Sequence, residues 1–368
     1  MASDRLYLDH AATTPMLPEA KAAMAEALES WSNPSSPHAD GRAARAVLED
    51  ARRRIGAALG WDGHVIFTSG ASEAIAIALT RAKASRILTS PVEHDSVLRV
   101  TSNADRLKVD TNGLFMSHSR EGGNPSPNIS SLAASEMDPR LRGDDKGAAL
   151  LAIQHVNNET GVIQPLDAID RKGIILFADC AQSAAKLPLP DADMIAISAH
   201  KFGGPPGIGA LLIKDLTLIH PSGGQEQGYR PGTENLPAIL AMAAALEART
   251  DWLPKAAILR AKLDAAIEAS GGQIIARNAP RIANIASYRM PGLSARAQLI
   301  QFDLAGISVS AGSACSSGSL KTSHVLHAMG WDEAEASEVI RVSFGTATSE
   351  ADMDRFIAAW TKMAERAR

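Results

Sequence analysis

Short apolar runs rich in Val and Ile, at residues 65–67, 87–88, 149–154, 174–178, 194–198 and 210–213, alternate with helical patterns through the first two thirds of the chain. Each run is too short for a helix and is closed by small, polar or charged residues, whereas the spans between runs are long enough to hold one. Repeated strand–helix units of this kind cover both faces of a mostly parallel sheet, so the fold class is α/β. Residues 45–59 have the pattern of one covering helix. Leu48, Ala51, Ile55 and Leu59 fall at three- and four-residue steps, and Arg52, Arg53 and Arg54 are expected to face outward.

After about residue 245 the texture changes. A long helical pattern runs to about Ala269, strand-like runs follow at 282–288, 307–309 and 339–344, and a terminal helix starts at Ser349. This predicts a smaller α+β domain over 246–368 beside a large ligand-binding domain over 16–245, with an N-terminal arm over 1–15. A chain of 368 residues has room for both. Residues 117–147 interrupt the pattern with Gly122-Gly123-Asn124-Pro125-Ser126-Pro127 and the charged run 138–145. They are expected to form a mobile surface insertion, since loop closure costs only about 0.6 kcal/mol more per doubling of length.

Several functions are excluded early. Lys and Arg number 37 against 41 Asp and Glu, a net charge of −4, without the basic excess that phosphate-backbone binding requires. No apolar run approaches the ~18 residues of a membrane helix, and Met1 to Leu6 lacks the apolar core of a signal peptide, so a cytoplasmic location is expected. The two cysteines, Cys180 and Cys315, cannot make a disulfide framework, and neither lies in a cluster with zinc spacing, so no metal is expected.

The chemistry concentrates at strand ends. Ser198-Ala199-His200-Lys201 follows the run 194–197 and precedes a Gly-Gly-Pro-Pro-Gly loop, which puts a lysine where ligand crevices of α/β sheets lie. A lysine there can form a Schiff base with a carbonyl cofactor. Asp179 closes the preceding strand, 22 residues earlier, and a carboxylate in that place can keep a pyridinium nitrogen protonated, as pyridoxal phosphate needs. Gln182 and Ser183 follow within reach of a ring oxygen. The turn Thr68-Ser69-Gly70-Ala71-Ser72-Glu73 joins a strand to a helix N-terminus, a phosphate site when a lysine and an aspartate stand on neighbouring strand ends. Cys315 sits among small residues, 310–319, with no apolar neighbours to bury it, and is expected to be an exposed, reactive thiol. Cys180, at a strand end, fits a small core residue.

These residues, with Leu8-Asp9-His10-Ala11-Ala12-Thr13-Thr14, Asn33-Pro34-Ser35-Ser36, Glu93-His94, Val156-Asn157-Asn158-Glu159-Thr160-Gly161, Gly223-Gly224-Gln225-Glu226, Gly232-Thr233 and Ile340-Arg341-Val342-Ser343, resemble the NifS/IscS-type cysteine desulfurases nearly end to end. That family belongs to the fold-type I pyridoxal-phosphate enzymes of aminotransferase class V. The resemblance implies a mostly parallel seven-stranded sheet of the aspartate aminotransferase type. It implies that Lys201 carries the cofactor, that Asp179 meets the ring nitrogen and Gln182 the ring oxygen, and that His94 stacks on the ring and moves protons. Ala71, Ser72, Ser198 and His200 would hold the phosphate, with Thr233 contributed across a homodimer interface.

Asn158 and Arg341 would bind L-cysteine, the arginine through its carboxylate, and Cys315 would take the substrate sulfur as a persulfide, releasing L-alanine. A sulfur-acceptor protein in iron–sulfur cluster or thio-cofactor synthesis would follow. His10 stands where the family usually has Asn, and Ala74-Ile75-Ala76-Ile77 where it has polar residues. The competing readings are a selenocysteine lyase or aminotransferase on the same scaffold, and an inactive scaffold for iron–sulfur assembly. Cys315 argues against transamination, which needs no thiol. The joint presence of Lys201, Asp179, His94, Cys315 and Arg341 argues against the scaffold.

Overall fold

The computed structural model describes residues 5–29, 32–116, 148–171, 173–312 and 322–367. The insertion expected at 117–147 and Cys315 lie outside the described residues. The large sheet has seven strands: β2 (His64–Thr68), β3 (Arg86–Thr89), β4 (Asp105–Arg106), β5 (Ala149–Gln154), β6 (Ile174–Asp179), β7 (Met194–Ser198) and β8 (Gly209–Ile213). Their order is β2-β8-β7-β6-β5-β3-β4. Only β8 runs antiparallel to its neighbours. The carboxyl ends of β2, β3, β5, β6 and β7 therefore open on one edge.

Alternation along these strands sorts side chains onto two faces, and helices cover both. Phe67, Leu151, Leu176, Ile195 and Leu212 pack with Leu48 and Ile55 of α2 (Ala39–Leu59) and with Ile239 and Met242 of α5 (Leu236–Glu247). Ile66, Leu150, Phe177, Ala196 and Leu211 pack with Ile75 and Ala78 of α3 (Ala71–Arg81). Ala74, Ile75 and Ile77, where the resembled family is polar, fill this second layer. Two further helices in this part of the chain are α1 (Pro18–Glu29) and α4 (Asp95–Val100).

A second sheet, in the order β12-β10-β9, comprises β9 (Gln273–Ile274), β10 (Ile285–Arg289) and β12 (Val339–Ser343). Its core joins Leu263 and Ile267 of α6 (Leu253–Ala269), Tyr288, Phe302 of α7 (Ala295–Leu304), and Phe356 and Trp360 of α10 (Glu350–Ala367). Phe302 and Phe356 stack at 4.8 Å. Two short helices, α8 (His324–Ala328) and α9 (Glu333–Ala336), precede β12. The N-terminal β1 (Leu6–Tyr7) pairs in parallel with β11 (Ile307–Ser308), so the arm is tied to this half of the chain.

Four expectations are corrected. The helical pattern around residues 245–269 is two helices, because Pro254 has no N–H to donate and is tolerated only in a first turn, which restarts the helix at Leu253. The helix expected over 45–59 begins at Ala39, where His38 Nδ1 caps it by accepting the Gly41 N–H at 3.2 Å. The strand expected over 282–288 begins at Ile285, because Ile282 N–H goes to Gly161 O at 2.8 Å instead of a ladder. Arg52 does not face outward. Its side chain is 11% exposed and forked onto Glu226 at 2.8 and 3.0 Å, with its guanidinium 4.6 Å from the Phe67 ring centre. Glu226 lies far along the chain, and only the fold brings it to α2.

Candidate active site

The common edge of the parallel strands carries a cavity of about 360 Å³, lined by Ala71, Ser72, His94, Asn158, Asp179, Gln182, Ser198, His200 and Lys201 among others. Nine residues from five separate strand ends thus meet as expected. The register explains why: Gln154 pairs with Asp179, Asp179 with Ala196, and both Thr68 and Ser198 with Gly209.

The turn after β2 passes close across β8. A side chain on Gly209 would collide with Ile197 O and the Gly70 backbone, and Gly70 itself has φ 152°, a conformation that favours glycine. With both glycines in place the amino end of α3 is brought beside Ser198. Ser72 Oγ lies 2.8 Å from Ser96 Oγ, which in turn lies 2.9 Å from His94 Nδ1. His94 caps α4 by accepting the Ser96 N–H at Nδ1, which assigns the proton of the neutral ring to Nε2. Burial lowers its pKa, against the opposing pull of Asp179.

Lys201 follows β7 in a single tight turn. Its Nζ donates to Ala11 O at 2.6 Å and Ala12 O at 2.9 Å. Burial, reinforced by the nearby Arg341 charge, lowers its pKa to about 8. Asp179 accepts the Ala181 N–H at 2.9 Å, and burial raises its pKa while His94 and Lys201 pull it down. Gln182 Nε2 donates to Ala11 O at 2.8 Å, leaving Oε1 buried without a partner on the cavity wall. Ser183 turns away, with Oγ 3.0 Å from His155 Nδ1, which corrects its expected role beside Gln182. Burial lowers the pKa of His200 to about 4, so its ring is neutral at pH 7. Cys180 is fully buried and its thiol pKa is pushed up, as a core residue requires.

Arg341 stands beside the cavity. It is 8% exposed and donates from Nη1 to Asn158 O at 3.0 Å and from Nη2 to Asp9 Oδ1 at 2.7 Å. Thr233 is exposed and does not line the cavity of its own chain. Three contributors had no role assigned from sequence. Ser96 links His94 to Ser72 in the turn after β2, and its place two residues after a capping histidine was a usable signal. Glu93 is fully buried, accepts Ser90 Oγ–H at 2.6 Å and Gln154 N–H at 2.7 Å, and has its pKa raised to about 8 by burial, so it pins the His94 turn to β5. Asp9 holds Arg341 from 332 residues away, a pairing without a local signature.

These contacts suit pyridoxal phosphate. Gln182 Oε1 is an orphan acceptor for a ring hydroxyl, Asp179 is a buried carboxyl with a single donor from its own backbone, and Lys201 is an amine of lowered basicity in the same cavity. A parallel α/β sheet with a lysine, an acid and a helix N-terminus converging on its carboxyl edge is the arrangement that suits an enzyme with an aldehyde cofactor.

Comparison with known proteins narrows that class. Residues 6–356 match the family model described as aminotransferase class-V. The IscS-like cysteine desulfurase of Mycobacterium tuberculosis is 35% identical, over 98% of this chain and 97% of that protein. Cysteine desulfurase IscS of Dictyoglomus turgidum is 34% identical, over 99% and 95% respectively. The X-ray structure of a NifS-like protein from Rickettsia africae superposes with a TM-score of 0.84 at 28% identity, covering 98% of this chain and 99% of that one. The chain belongs to the aminotransferase class-V family, among the NifS/IscS-type cysteine desulfurases. Among the described residues no helix is long and apolar enough to cross a membrane.

Proposed function

We propose that the protein is a pyridoxal-phosphate-dependent cysteine desulfurase that moves sulfur from L-cysteine to Cys315 as a persulfide and releases L-alanine. The observation that carries this is Lys201, a half-buried amine of lowered pKa at the end of β7, sharing one cavity with Asp179, His94 and the turn at Gly70. Lys201 and Asp179 would hold the cofactor at its aldehyde and ring nitrogen, Gln182 its ring oxygen, and Ala71, Ser72, Ser198 and His200 its phosphate. Bound there, pyridoxal phosphate supplies a carbonyl that captures the substrate amine and a ring that withdraws electrons from the bonds at Cα.

Every other step belongs to the chain's own residues. Arg341 and Asn158 orient the substrate carboxylate, the arginine by a planar fork that lysine cannot reproduce. With a pKa of about 8, a tenth or so of Lys201 is neutral at pH 7, enough to take the Cα proton and return it. His94, neutral with its proton on Nε2, would exchange protons with the bound substrate. The Cys315 thiolate attacks the substrate sulfur. Its new S–S bond replaces the carbon–sulfur bond, one proton completes the alanine methyl, and the proton taken from Cα is put back there, without any external oxidant or reductant.

The exposure of Thr233, away from its own cavity, suits a residue that serves a second copy in a homodimer. The persulfide would then pass to an acceptor protein for iron–sulfur cluster or thio-cofactor synthesis. Cys315→Ala is the test. It should keep the visible absorbance of bound cofactor and lose sulfide release from L-cysteine, and sulfide production equal to wild type would remove Cys315 from the reaction.

A further inference from the structure

We propose that Asp9 is a positioning residue that decides which N–H groups of Arg341 face the substrate carboxylate. The inference rests on Arg341 being the carboxylate site, as read above. A guanidinium has five N–H donors, and two of them are spoken for: one on Nη1 by Asn158 O and one on Nη2 by Asp9 Oδ1. Nε is buried with no partner. What remains for a ligand is the second hydrogen of each Nη, held in one plane whose rotation is fixed from both sides.

Asp9 is well placed to fix it. Its backbone forms a bridge with Ser343, Ser343 N–H donates to Leu8 O at 2.8 Å, and Leu8 N–H donates to Ser308 O at 2.9 Å. Arg341 is in turn held at its main chain by Ser310, through N–H···O contacts of 2.7 and 3.2 Å. Both ends of the ion pair are thus anchored to the small sheet and its arm, and the side chains are only 9% and 21% exposed. Asp9 also offsets a buried positive charge that otherwise faces Lys201, whose amine senses both groups. An arginine already immobilised loses little rotamer freedom when the carboxylate arrives, so the contact with Asp9 is expressed as affinity for the carboxylate and for no other part of the substrate.

The test uses holoenzyme and a matched ligand pair, L-alanine and ethylamine, which differ only by the carboxylate, with binding followed by the visible absorbance of the cofactor. Asp9→Ala is expected to weaken L-alanine about tenfold and to leave ethylamine within about twofold. Asp9→Asn, which is isosteric and retains an acceptor oxygen, is expected to fall between Asp9→Ala and wild type, and it serves alone if the alanine variant does not fold. Arg341→Lys separates the two levels of the argument. If it leaves L-alanine affinity unchanged, the carboxylate reading of Arg341 fails. If it weakens L-alanine strongly while both Asp9 variants match wild type, Arg341 keeps its role and the positioning role of Asp9 is overturned. Equal weakening of L-alanine and ethylamine, or tighter L-alanine binding in Asp9→Asn, also overturns it.

Discussion

The small sheet and the cavity edge of the large sheet both bury charge, and they do so by opposite rules. In the first, Asp264 takes Arg260 Nε and the Tyr288 hydroxyl at 2.7 Å on one oxygen and Arg281 Nη2 at 3.5 Å on the other, while Arg260 Nη1 reaches Ile285 O at 2.7 Å. Nearly every buried charge there has an opposite partner. In the second, Lys201 donates only to neutral carbonyls, Glu93 accepts only neutral donors, and Gln182 Oε1 has no partner. Matched groups hold α6 to β10 and to the loop before that strand. Lys201 and Glu93, with no opposite charge in hydrogen-bond contact, have their pKa values displaced toward neutrality, and of the three Lys201 and Gln182 line the cavity.

Four perturbations break or sharpen this contrast. The largest expected effect is Lys201→Ala, which should lower turnover of L-cysteine by about 10³-fold or more and abolish the visible band, with an unfolding midpoint close to wild type. A large loss of stability there would erase the distinction between the two regions. Asp264→Ala should do the reverse. Leaving two buried guanidinium groups unpaired costs about 3–5 kcal/mol by urea unfolding, with turnover per folded molecule nearly unchanged.

Gly345→Ala sits between the regions. A Cβ on Gly345 would overlap the His10 imidazole, whose ring stands edge-on to Tyr7 at 5.1 Å. A loss of about 1–3 kcal/mol is expected, partly restored by His10→Asn in the double variant, and a cycle showing strict additivity would mean that the two residues do not share the space.

The fourth effect is a pH slope, small over any one pH unit. Burial, aided by Lys186, lowers the His10 pKa from 6.5 to about 4. The unfolded chain therefore binds more protons than the folded one between those values, so His10 makes stability rise as pH climbs from about 4 to 6.5 and adds nothing further above that. Glu93 works against it, since a folded pKa near 8 against 4.5 makes stability fall as pH rises across that interval. The difference between wild type and His10→Asn isolates the histidine. It should amount to at most one proton, about 1.4 kcal/mol per pH unit, and an identical slope in both would remove the assignment.

What could be read from the residues alone follows from the same geometry. Lys201, Asp179 and the turn at Gly70 each end a strand, and parallel strands place such ends on one edge without any knowledge of long-range contacts. His94 and Asn158 came with motifs of the resembled family, and the strand ends behind them do the rest. What stayed hidden depends on partners distant in sequence. Arg52 has the spacing of a solvent-facing residue, and only Glu226, 174 positions later, takes it inside. Asp9 and Arg341 meet because β1 pairs with β11 and the arm then runs along β12, an arrangement that no local periodicity encodes. The break between α5 and α6 was visible in Pro254, but continuous apolar spacing on both sides concealed it.

The central claim is that the unmatched edge of the large sheet cleaves the carbon–sulfur bond of L-cysteine. The direct measurement is to reconstitute the protein with pyridoxal phosphate, add L-cysteine and a thiol reductant, and quantify alanine and sulfide in the same sample. The account predicts equal amounts of both, over many turnovers, from a yellow protein. Pyruvate with sulfide in place of alanine, or a fully loaded protein that forms neither product, would contradict it.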